Sequence, residues 1–191
     1  LNGQVYTEGG ENLSGCGVFF HMSLDESNRV TCDMLQSLEL SGVKVVNDFT
    51  AFSRGSDKYV ANVLLRKNGV NVPPSVYIGR NYSRRLMDRL FEEWKAVVVK
   101  PRNRWGGKGI IKFETSEHFN DYYWSVQHMC DHFYLEKFIP FESMDYRVEI
   151  IAGKRVGHPY SRQKGHSFIT NIGPEGRGKP VLNEVDDEAI T

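Results

Sequence analysis

Residues 97–110 read VVVKPRNRWGGKGI, a β-branched run that ends at a lysine and a proline and continues into a basic, glycine-rich segment. The β-branched residues predict a strand at 97–100, and the aliphatic residues after the glycines predict another at 109–113. Glycines let backbone N–H groups approach an anion closely, and lysine adds a positive charge. The stretch therefore predicts either an anion-binding loop or, with equal weight, a solvated hairpin tip with basic residues.

The spacing of this loop excludes two common phosphate-binding motifs. A Walker A loop would place a glycine at position 102 and a hydroxyl residue at 109, where this sequence has Arg102 and Gly109. The glycines at 106, 107 and 109 do not have the spacing of the dinucleotide-binding fingerprint either. The ligand of the loop therefore has to be inferred from the segments around it.

The composition excludes several function classes. The 191 residues are 40% hydrophobic and 25% charged, and the formal net charge is zero, so an anion site must be local rather than the effect of a basic protein. No run approaches the roughly 18 apolar residues of a membrane span, and no signal peptide is visible. Three scattered cysteines, Cys16, Cys32 and Cys130, favour a reducing, cytoplasmic location.

The segment YLEKFIPFESMDYR, residues 134–147, contains groups that suit a nucleoside. If Lys137–Ile139 is an exposed strand end, its backbone can pair with an adenine edge, and Asp145 can accept hydrogen bonds from ribose hydroxyls. The alternative is a surface ion pair on an edge strand.

The segment RQKGHSFITNIGPEGRG, residues 162–178, combines an arginine, an asparagine and several glycines. Arg162 can hold a phosphate or carboxylate bidentately, and Asn171 can bond a carboxylate or a metal-bound water. An ordinary surface loop is the alternative. The His-x-Cys-x-His sequence at 128–132 is a weaker zinc hypothesis, with two histidines on one helix face and no fourth ligand.

The hydrophobic pattern predicts a mixed order of helices and strands, with hairpins toward the C-terminus. The fold class is therefore α+β, with two small subdomains that meet near residue 139. The predicted helices are 27–41, 57–68, 83–94 and 116–129, and the predicted strands are 17–21, 43–46, 75–78, 97–100, 109–113, 134–139, 146–151 and 155–159.

Seven loose motifs follow one another along the chain: Gly42-Val-Lys-Val-Val-Asn47, Asp57-Lys58, Gly69-Val-Asn-Val-Pro73, Val99-Lys100-Pro101 with the glycine loop, Glu136-Lys137-Phe138-Ile139, Asp145-Tyr-Arg147-Val148, and Arg162 with Asn171 and Gly176. In this order they resemble the ATP-grasp superfamily of carboxylate–amine ligases. Within it, the chain is most similar to the branch that contains the ribosomal-protein glutamate ligase.

This resemblance implies an ATP-grasp fold, in which two α+β subdomains sandwich ATP beneath a flexible glycine-rich loop. Residues 1–50 are then part of a preceding pre-ATP-grasp α/β domain, 51–139 the subdomain with the glycine-rich lid, and 140–191 the second subdomain. It also implies Mg²⁺, whose family ligands would follow a helix starting near Asp186. We therefore expect a C-terminal portion with these ligands beyond this chain, and assign no metal ligand within it.

The resemblance also implies roles for individual residues. Lys58 and Lys100 would contact the ATP phosphates, and residues 104–109 would form the lid. Arg162 would stabilise the transferred phosphoryl group and the acyl phosphate, and Asn171 would lie beside the acceptor carboxylate. The residues expected to hold the nucleotide are Lys58, Lys100, Arg104, Gly106, Gly107, Lys108, Gly109, Glu136, Lys137 and Ile139 at the phosphates and adenine, and Asp145 at the ribose.

The expected function is an ATP-dependent ligase that activates a carboxylate as an acyl phosphate and joins it to an amine. Its partners are ATP and a small-molecule or peptide acid and amine, without a membrane or nucleic acid, and a homo-oligomer stays open. One alternative is a catalytically incomplete nucleotide-binding regulatory module. Another is a nucleic-acid or protein-binding domain with a basic patch of Arg84, Arg85, Arg89, Arg102 and Arg104.

Overall fold

The computed structural model describes residues 3–22, 28–141, 144–163, 168–169 and 177–180. The chain divides into two compact units, one of Leu1–Trp105 with Ile110–Phe138 and the other of Gly106–Gly109 with Ile139–Thr191. The first unit contains helices and sheets, and the described part of the second is built of antiparallel strands.

The elements of the first unit mix helices with strands, in agreement with the α+β prediction. Its helices are α1 (Asn28–Leu40), α2 (Phe49–Ser56), α3 (Lys58–Lys67), α4 (Arg84–Trp94) and α5 (Ser116–Val126), and Leu13–Gly15 is a single 3₁₀ turn. Its strands are β1 (Val18–Phe20), β2 (Lys44–Val46), β3 (Ser75–Gly79), β4 (Val97–Lys100), β5 (Ile111–Phe113) and β6 (His132–Lys137). The strands of the second unit are β7 (Met144–Ile151), β8 (Lys154–Gln163) and β9 (Arg177–Pro180).

Aspartate caps determine where α2 and α3 begin. Asp57 Oδ1 accepts hydrogen bonds from the backbone N–H groups of Tyr59 at 3.0 Å and Val60 at 3.2 Å. Asp48 Oδ1 accepts one from Ala51 at 2.7 Å. Caps of this kind stabilise a helix by about 1 kcal/mol. Helix α2 was not predicted, because its residues FTAFSRGS include threonine, serines and a glycine, which favour a helix only weakly.

Four strands form the main sheet of the first unit, in the order β3-β6-β4-β5 and antiparallel throughout. Side chains alternate between the two faces of a strand, and most of the apolar ones, Val98 excepted, share one face. That face forms the core with α4 and α5, through residues such as Leu135, Val97, Met87 and Phe119. The opposite face carries the polar side chains described below.

The second unit, where described, is an antiparallel sheet in the order β7-β8-β9. The turn between β7 and β8 passes through Ala152 and Gly153, with φ angles of 50° and 74°. In this register Asp145 lies directly opposite Arg162. The strand β9 was not predicted from the sequence.

Helix α5 ends at Val126, earlier than the predicted Met129, and this changes the zinc hypothesis. His132 begins β6, so His128 and His132 do not share a helix face.

None of the described helices is long and apolar enough to cross a membrane.

Replacing a core leucine on the central strand tests this packing. Leu135 is 0% exposed, whereas Leu65 on α3 is 44% exposed. We expect Leu135→Ala to lower the free energy of unfolding by about 2–5 kcal/mol, because it removes buried contacts and leaves a cavity. The matched control Leu65→Ala should cost well under half as much in urea unfolding. Equal losses would contradict the described core.

Candidate functional site

An ion pair occupies the polar face of the main sheet. Lys100 Nζ donates a hydrogen bond to Glu136 Oε2, and the Tyr134 hydroxyl donates to Glu136 Oε1 at 2.5 Å. The β4–β6 register places Lys100 opposite Tyr134, so all three side chains lie on one face. Burial and the bond to Glu136 raise the pKa of Tyr134, so its hydroxyl stays protonated and remains a donor.

A second lysine stands close to this pair. Lys58 is the first residue of α3, and its Nζ donates to the carbonyl oxygens of Arg102, at 3.4 Å, and Arg104. Its ammonium also lies 5.8 Å from the centre of the Trp105 ring. Burial, followed by the charge of Lys100, lowers the pKa of Lys58, and Glu136 partly opposes this. Two lysine cations therefore repel each other on this part of the first unit.

The loop after β4 is anchored to α3 by a bidentate ion pair. Arg102 Nε donates to Asp57 Oδ1 at 3.1 Å, and a second guanidinium nitrogen donates to Oδ2. Arg102 also donates to the Tyr77 hydroxyl at 3.0 Å, and its guanidinium lies 4.8 Å from the centre of that ring. The backbone N–H of Lys58 donates to the Arg102 carbonyl at 3.1 Å. The position of Lys58 thus depends on this pair.

The glycines of the loop adopt backbone angles that other residues rarely reach. Gly106, Gly107 and Gly109 have φ angles of 66°, 78° and 73°. A Cβ atom at Gly106 would meet nothing within 4 Å, so the requirement for glycine there is one of backbone conformation rather than space. Arg104 and Lys108 are exposed. Residues 102–105 form a first half of the loop that is held by hydrogen bonds, and residues 106–109 form a second half whose backbone requires glycine.

In the second unit, two predicted site residues bind each other. Arg162 Nε donates to Asp145 Oδ1 at 2.9 Å, and a second nitrogen donates to Oδ2 at 2.5 Å. The bond to Asp145 raises the pKa of Arg162 further. Asn171 and Gly176, which the sequence analysis also named, lie outside the described residues.

The residues predicted at the adenine, Glu136, Lys137 and Ile139, follow Tyr134 along the chain. The carboxylate of Glu136 is bound by Lys100 and Tyr134, and its place beside the adenine stays a prediction. The backbone N–H of Lys137 donates to the Pro74 carbonyl at 2.8 Å. Ile139 is half-exposed and begins the second part of the second unit.

The sequence analysis missed three contributors to this site: Tyr77, Tyr134 and the pairing of Asp57 with Arg102. A signal was present for Tyr134, because residues two apart on a strand share a face and Glu136 follows it at that spacing. The Asp57–Arg102 pair joins residues 45 positions apart, which local spacing cannot show.

Neither a metal cluster nor the proposed basic patch is found among the described residues. No group of three or more His, Cys, Asp or Glu side chains lies together in that part of the chain. Arg84, Arg85 and Arg89 are exposed on α4. Arg102 is instead bound by Asp57 and Tyr77, so the five arginines do not act as one exposed basic surface.

No family model matches the chain, but proteins of known function and known structure do. The tetrahydromethanopterin:α-L-glutamate ligase of Methanosarcina acetivorans is 27% identical over 168 residues, which cover 82% of this chain and 51% of that protein. The coenzyme γ-F420-2:α-L-glutamate ligase of Methanococcus maripaludis is 23% identical and covers 93% of this chain. The chain thus spans about half the length of the first of these relatives and 62% of the second.

Comparison with a solved structure identifies the fold. The D-alanine–D-alanine ligase of Bacillus anthracis, in complex with ATP, superposes with a TM-score of 0.64 at 16% identity, covering 87% of this chain and 53% of that one. The fold is that of the ATP-grasp ligases. The predicted resemblance to the ATP-grasp superfamily is therefore confirmed, and the α+β class with it.

A double-mutant cycle tests the ion pair on the ATP-grasp sheet. We expect Lys100→Met and Glu136→Gln each to lower the free energy of unfolding by about 1–3 kcal/mol, because each leaves a partly buried charge without its partner. The double variant should cost less than the two single losses together, as residues in direct contact do. Urea unfolding measures all four proteins. Additive losses would show that the two side chains do not interact.

Proposed function

We propose that this protein is an ATP-dependent carboxylate–amine ligase. The observation that carries the proposal is the pair of repelling cations, Lys58 and Lys100, in the first unit of a chain with the ATP-grasp fold. An anion between two such lysines removes their repulsion, and a triphosphate offers several negative oxygens for this purpose. The similarity to glutamate ligases supports the same choice of ligand.

In the proposed reaction, a substrate carboxylate oxygen attacks the γ-phosphorus of ATP. The bond to the bridging oxygen breaks, and ADP leaves with its electron pair. The resulting acyl phosphate is attacked at its carbonyl carbon by an amine, which loses a proton as phosphate departs. The products are an amide or peptide bond, ADP and phosphate.

The chain's own residues supply charge and position for these steps. Lys58 and Lys100 hold the phosphates, and the N–H groups around Gly106, Gly107 and Gly109, with Arg104 and Lys108, approach the β- and γ-phosphates. Fixed positive charge of this kind supplies most of the catalysis in phosphoryl transfer. Closure of the loop would keep water from the acyl phosphate. Bound magnesium would add positive charge at the phosphates in this chemistry.

In the second unit, the roles proposed for Arg162 and Asp145 require a change in the ion pair between them. We assign the acyl phosphate to Arg162 and the ribose to Asp145, as the resemblance implies. Because each now binds the other, ligand binding has to share or open this pair. Asn171 remains the candidate beside the acceptor carboxylate.

We assign the adenine to backbone groups at the end of β6, as expected from the sequence. The Glu136 carboxylate is used by Lys100 and Tyr134, so we assign the base to main-chain groups of Lys137–Ile139. L-glutamate is the first candidate amine, since the names of the relatives contain it. A cytoplasmic location stays a prediction, supported by Cys16, Cys32 and Cys130, none of which forms a disulfide among the described residues.

Phosphate release tests the activity directly. The protein is incubated with ATP and Mg²⁺ and with pairs of acids and amines from an amino-acid panel that begins with glutamate. We expect release of phosphate that requires both an acid and Mg²⁺, with a new amide product in the mass spectrum. ATP binding without release for any pair would favour the regulatory module. Salt-sensitive binding of polyanions without nucleotide binding would favour the nucleic-acid alternative.

The lowered pKa of Lys58 predicts how ATP affinity depends on pH. Bound phosphate favours the charged lysine, so the pKa of Lys58 is higher in the complex than in the free protein. Affinity is constant below the free-protein pKa and falls as the pH rises through it, with proton uptake on binding in the window between the two values. Calorimetry in buffers of different ionisation enthalpy measures this uptake.

Two variants make the pH test specific to this residue. Lys58→Met should weaken ATP binding about tenfold or more and abolish the proton uptake in that window. Lys67→Met, at the exposed last position of the same helix, should change neither. Unchanged ATP affinity in the Lys58 variant would remove this lysine from the site.

A further inference from the structure

A pocket lies in the first unit, beyond the carboxyl ends of the parallel strands β1 and β2. Its volume is about 310 Å³, which falls within the range that small-molecule sites occupy. In folds with parallel strands, ligands bind at this edge of the sheet. The residues along its wall follow the two strands, lie on α2 or belong to the loop after β4, and they include His21, Asn47, Ala51, Phe52, Gly55 and Trp105.

Hydrogen bonds and a ring contact fix the base of this pocket. The backbone N–H of His21 donates to the Val46 carbonyl at 3.0 Å, and Asn47 Nδ2 donates to the His21 carbonyl at 2.9 Å. His21 is 5% exposed, and its ring meets the Phe52 ring edge to face with 4.7 Å between the ring centres. The strand ends and α2 are therefore held together, and a preformed base lowers the entropic cost of binding.

The wall of the pocket is uncharged where the structure describes it. None of the described residues that line it is Asp, Glu, Lys or Arg. Phe52 and Trp105 are half-buried and supply flat apolar surface. A charged group of a ligand against this wall would lose its hydration without gaining an ionic partner, which is costly in free energy. The pocket therefore favours an uncharged, apolar group.

Trp105 connects this pocket with the lysines proposed for ATP. Its side chain lines the pocket, and the Lys58 ammonium lies 5.8 Å from the centre of its ring. Lys58 Nζ also donates to the carbonyl of Arg104, the preceding residue of the loop. A molecule that fills the pocket therefore has one end close to the lysine proposed for the phosphates.

On the basis of the proposed ligase function, we propose that this pocket holds the body of the acid substrate and that this body is uncharged and apolar. The reacting carboxylate lies at the end of the pocket toward Lys58, and the body packs against Phe52 and Trp105. A dicarboxylate such as glutarate would place its second charge against the uncharged wall. The pocket selects the acid, and L-glutamate remains the candidate amine.

Binding of 3-phenylpropanoate to the ¹⁵N-labelled full chain tests the pocket without turnover. The chain has three tryptophans, and the indole N–H signal of Trp105 is assigned by its loss in Trp105→Phe. We expect this signal to shift and to saturate, while that of Trp124, which is 67% exposed and outside the pocket, stays unchanged.

Two smaller acids are the controls for this titration, at constant ionic strength. Glutarate carries a second charge and acetate lacks the apolar body, so both should bind at least about tenfold more weakly than 3-phenylpropanoate. Equal binding of either acid, or absence of saturation with 3-phenylpropanoate, would overturn the proposal.

Variants that narrow the pocket locate the site. Ala51→Phe adds a ring at an exposed position of the wall and should raise the Kd of 3-phenylpropanoate about tenfold. Thr50→Phe, at the preceding exposed position of α2 and outside the wall, should leave the Kd within about twofold.

Gly55→Leu is a second narrowing variant for the case that Ala51→Phe does not fold. A Cβ at Gly55 would meet no atom within 4 Å, and leucine favours a helix more than glycine does. Circular dichroism confirms the fold of each variant. An unchanged Kd in the folded narrowing variants, or an equal loss in Thr50→Phe, would show that the acid binds elsewhere and would overturn the proposal.

Phosphate release distinguishes a failure of this proposal from a failure of the ligase function. With ATP, Mg²⁺ and L-glutamate, we expect kcat/KM for 3-phenylpropanoate to exceed that for glutarate at least about tenfold. Release with glutarate but not with 3-phenylpropanoate would retain the ligase and overturn the apolar pocket. Saturable binding at Trp105 without release for any acid–amine pair would contradict the ligase and, with it, the substrate role of the pocket.

Discussion

The ion pair between Asp57 and Arg102 is the interaction on which the candidate site depends. The same carboxylate caps α3 and holds the guanidinium at the start of the loop. Because Lys58 follows Asp57 directly, the pair also fixes where this lysine stands, and the Lys58 N–H and Nζ both return to the Arg102 carbonyl. A partly buried carboxylate without its arginine would lower the free energy of unfolding, so the start of α3 and the start of the loop stabilise each other.

This anchor places Lys58 close to the ion pair of Lys100 with Glu136. Glu136 forms an ion pair with Lys100, while the direct contacts described for the Lys58 ammonium are backbone carbonyls and the face of Trp105, with Glu136 and Asp57 acting on it without an ion pair among the described residues. Carbonyl dipoles and a ring stabilise a cation less than a carboxylate does, which agrees with the lowered pKa of Lys58. The fold therefore keeps one positive charge incompletely compensated, as a site for a polyanion requires.

Local patterns predicted the elements of this site better than its contacts. The β-branched run gave β4 its correct bounds, and the caps at Asp57 and Ser83 marked the starts of α3 and α4. Partners 36 and 45 positions apart, such as Lys100 with Glu136 and Asp57 with Arg102, depend on tertiary structure and leave no local signature. Helix α2 was missed because its cap and packing, rather than its propensity, stabilise it.

The basic and bulky residues of the loop, Arg102 and Trp105, lie in its anchored half. A lid that closes over phosphates needs flexible backbone, and Arg102 and Trp105 would seem to oppose this. In the structure, residues 102–105 belong to the half of the loop that is held by Asp57 and Lys58. The positive φ angles begin only at Gly106. The positive φ angles therefore begin only after Trp105, and if the glycine half closes over a ligand as proposed, the anchored half can keep Lys58 in place.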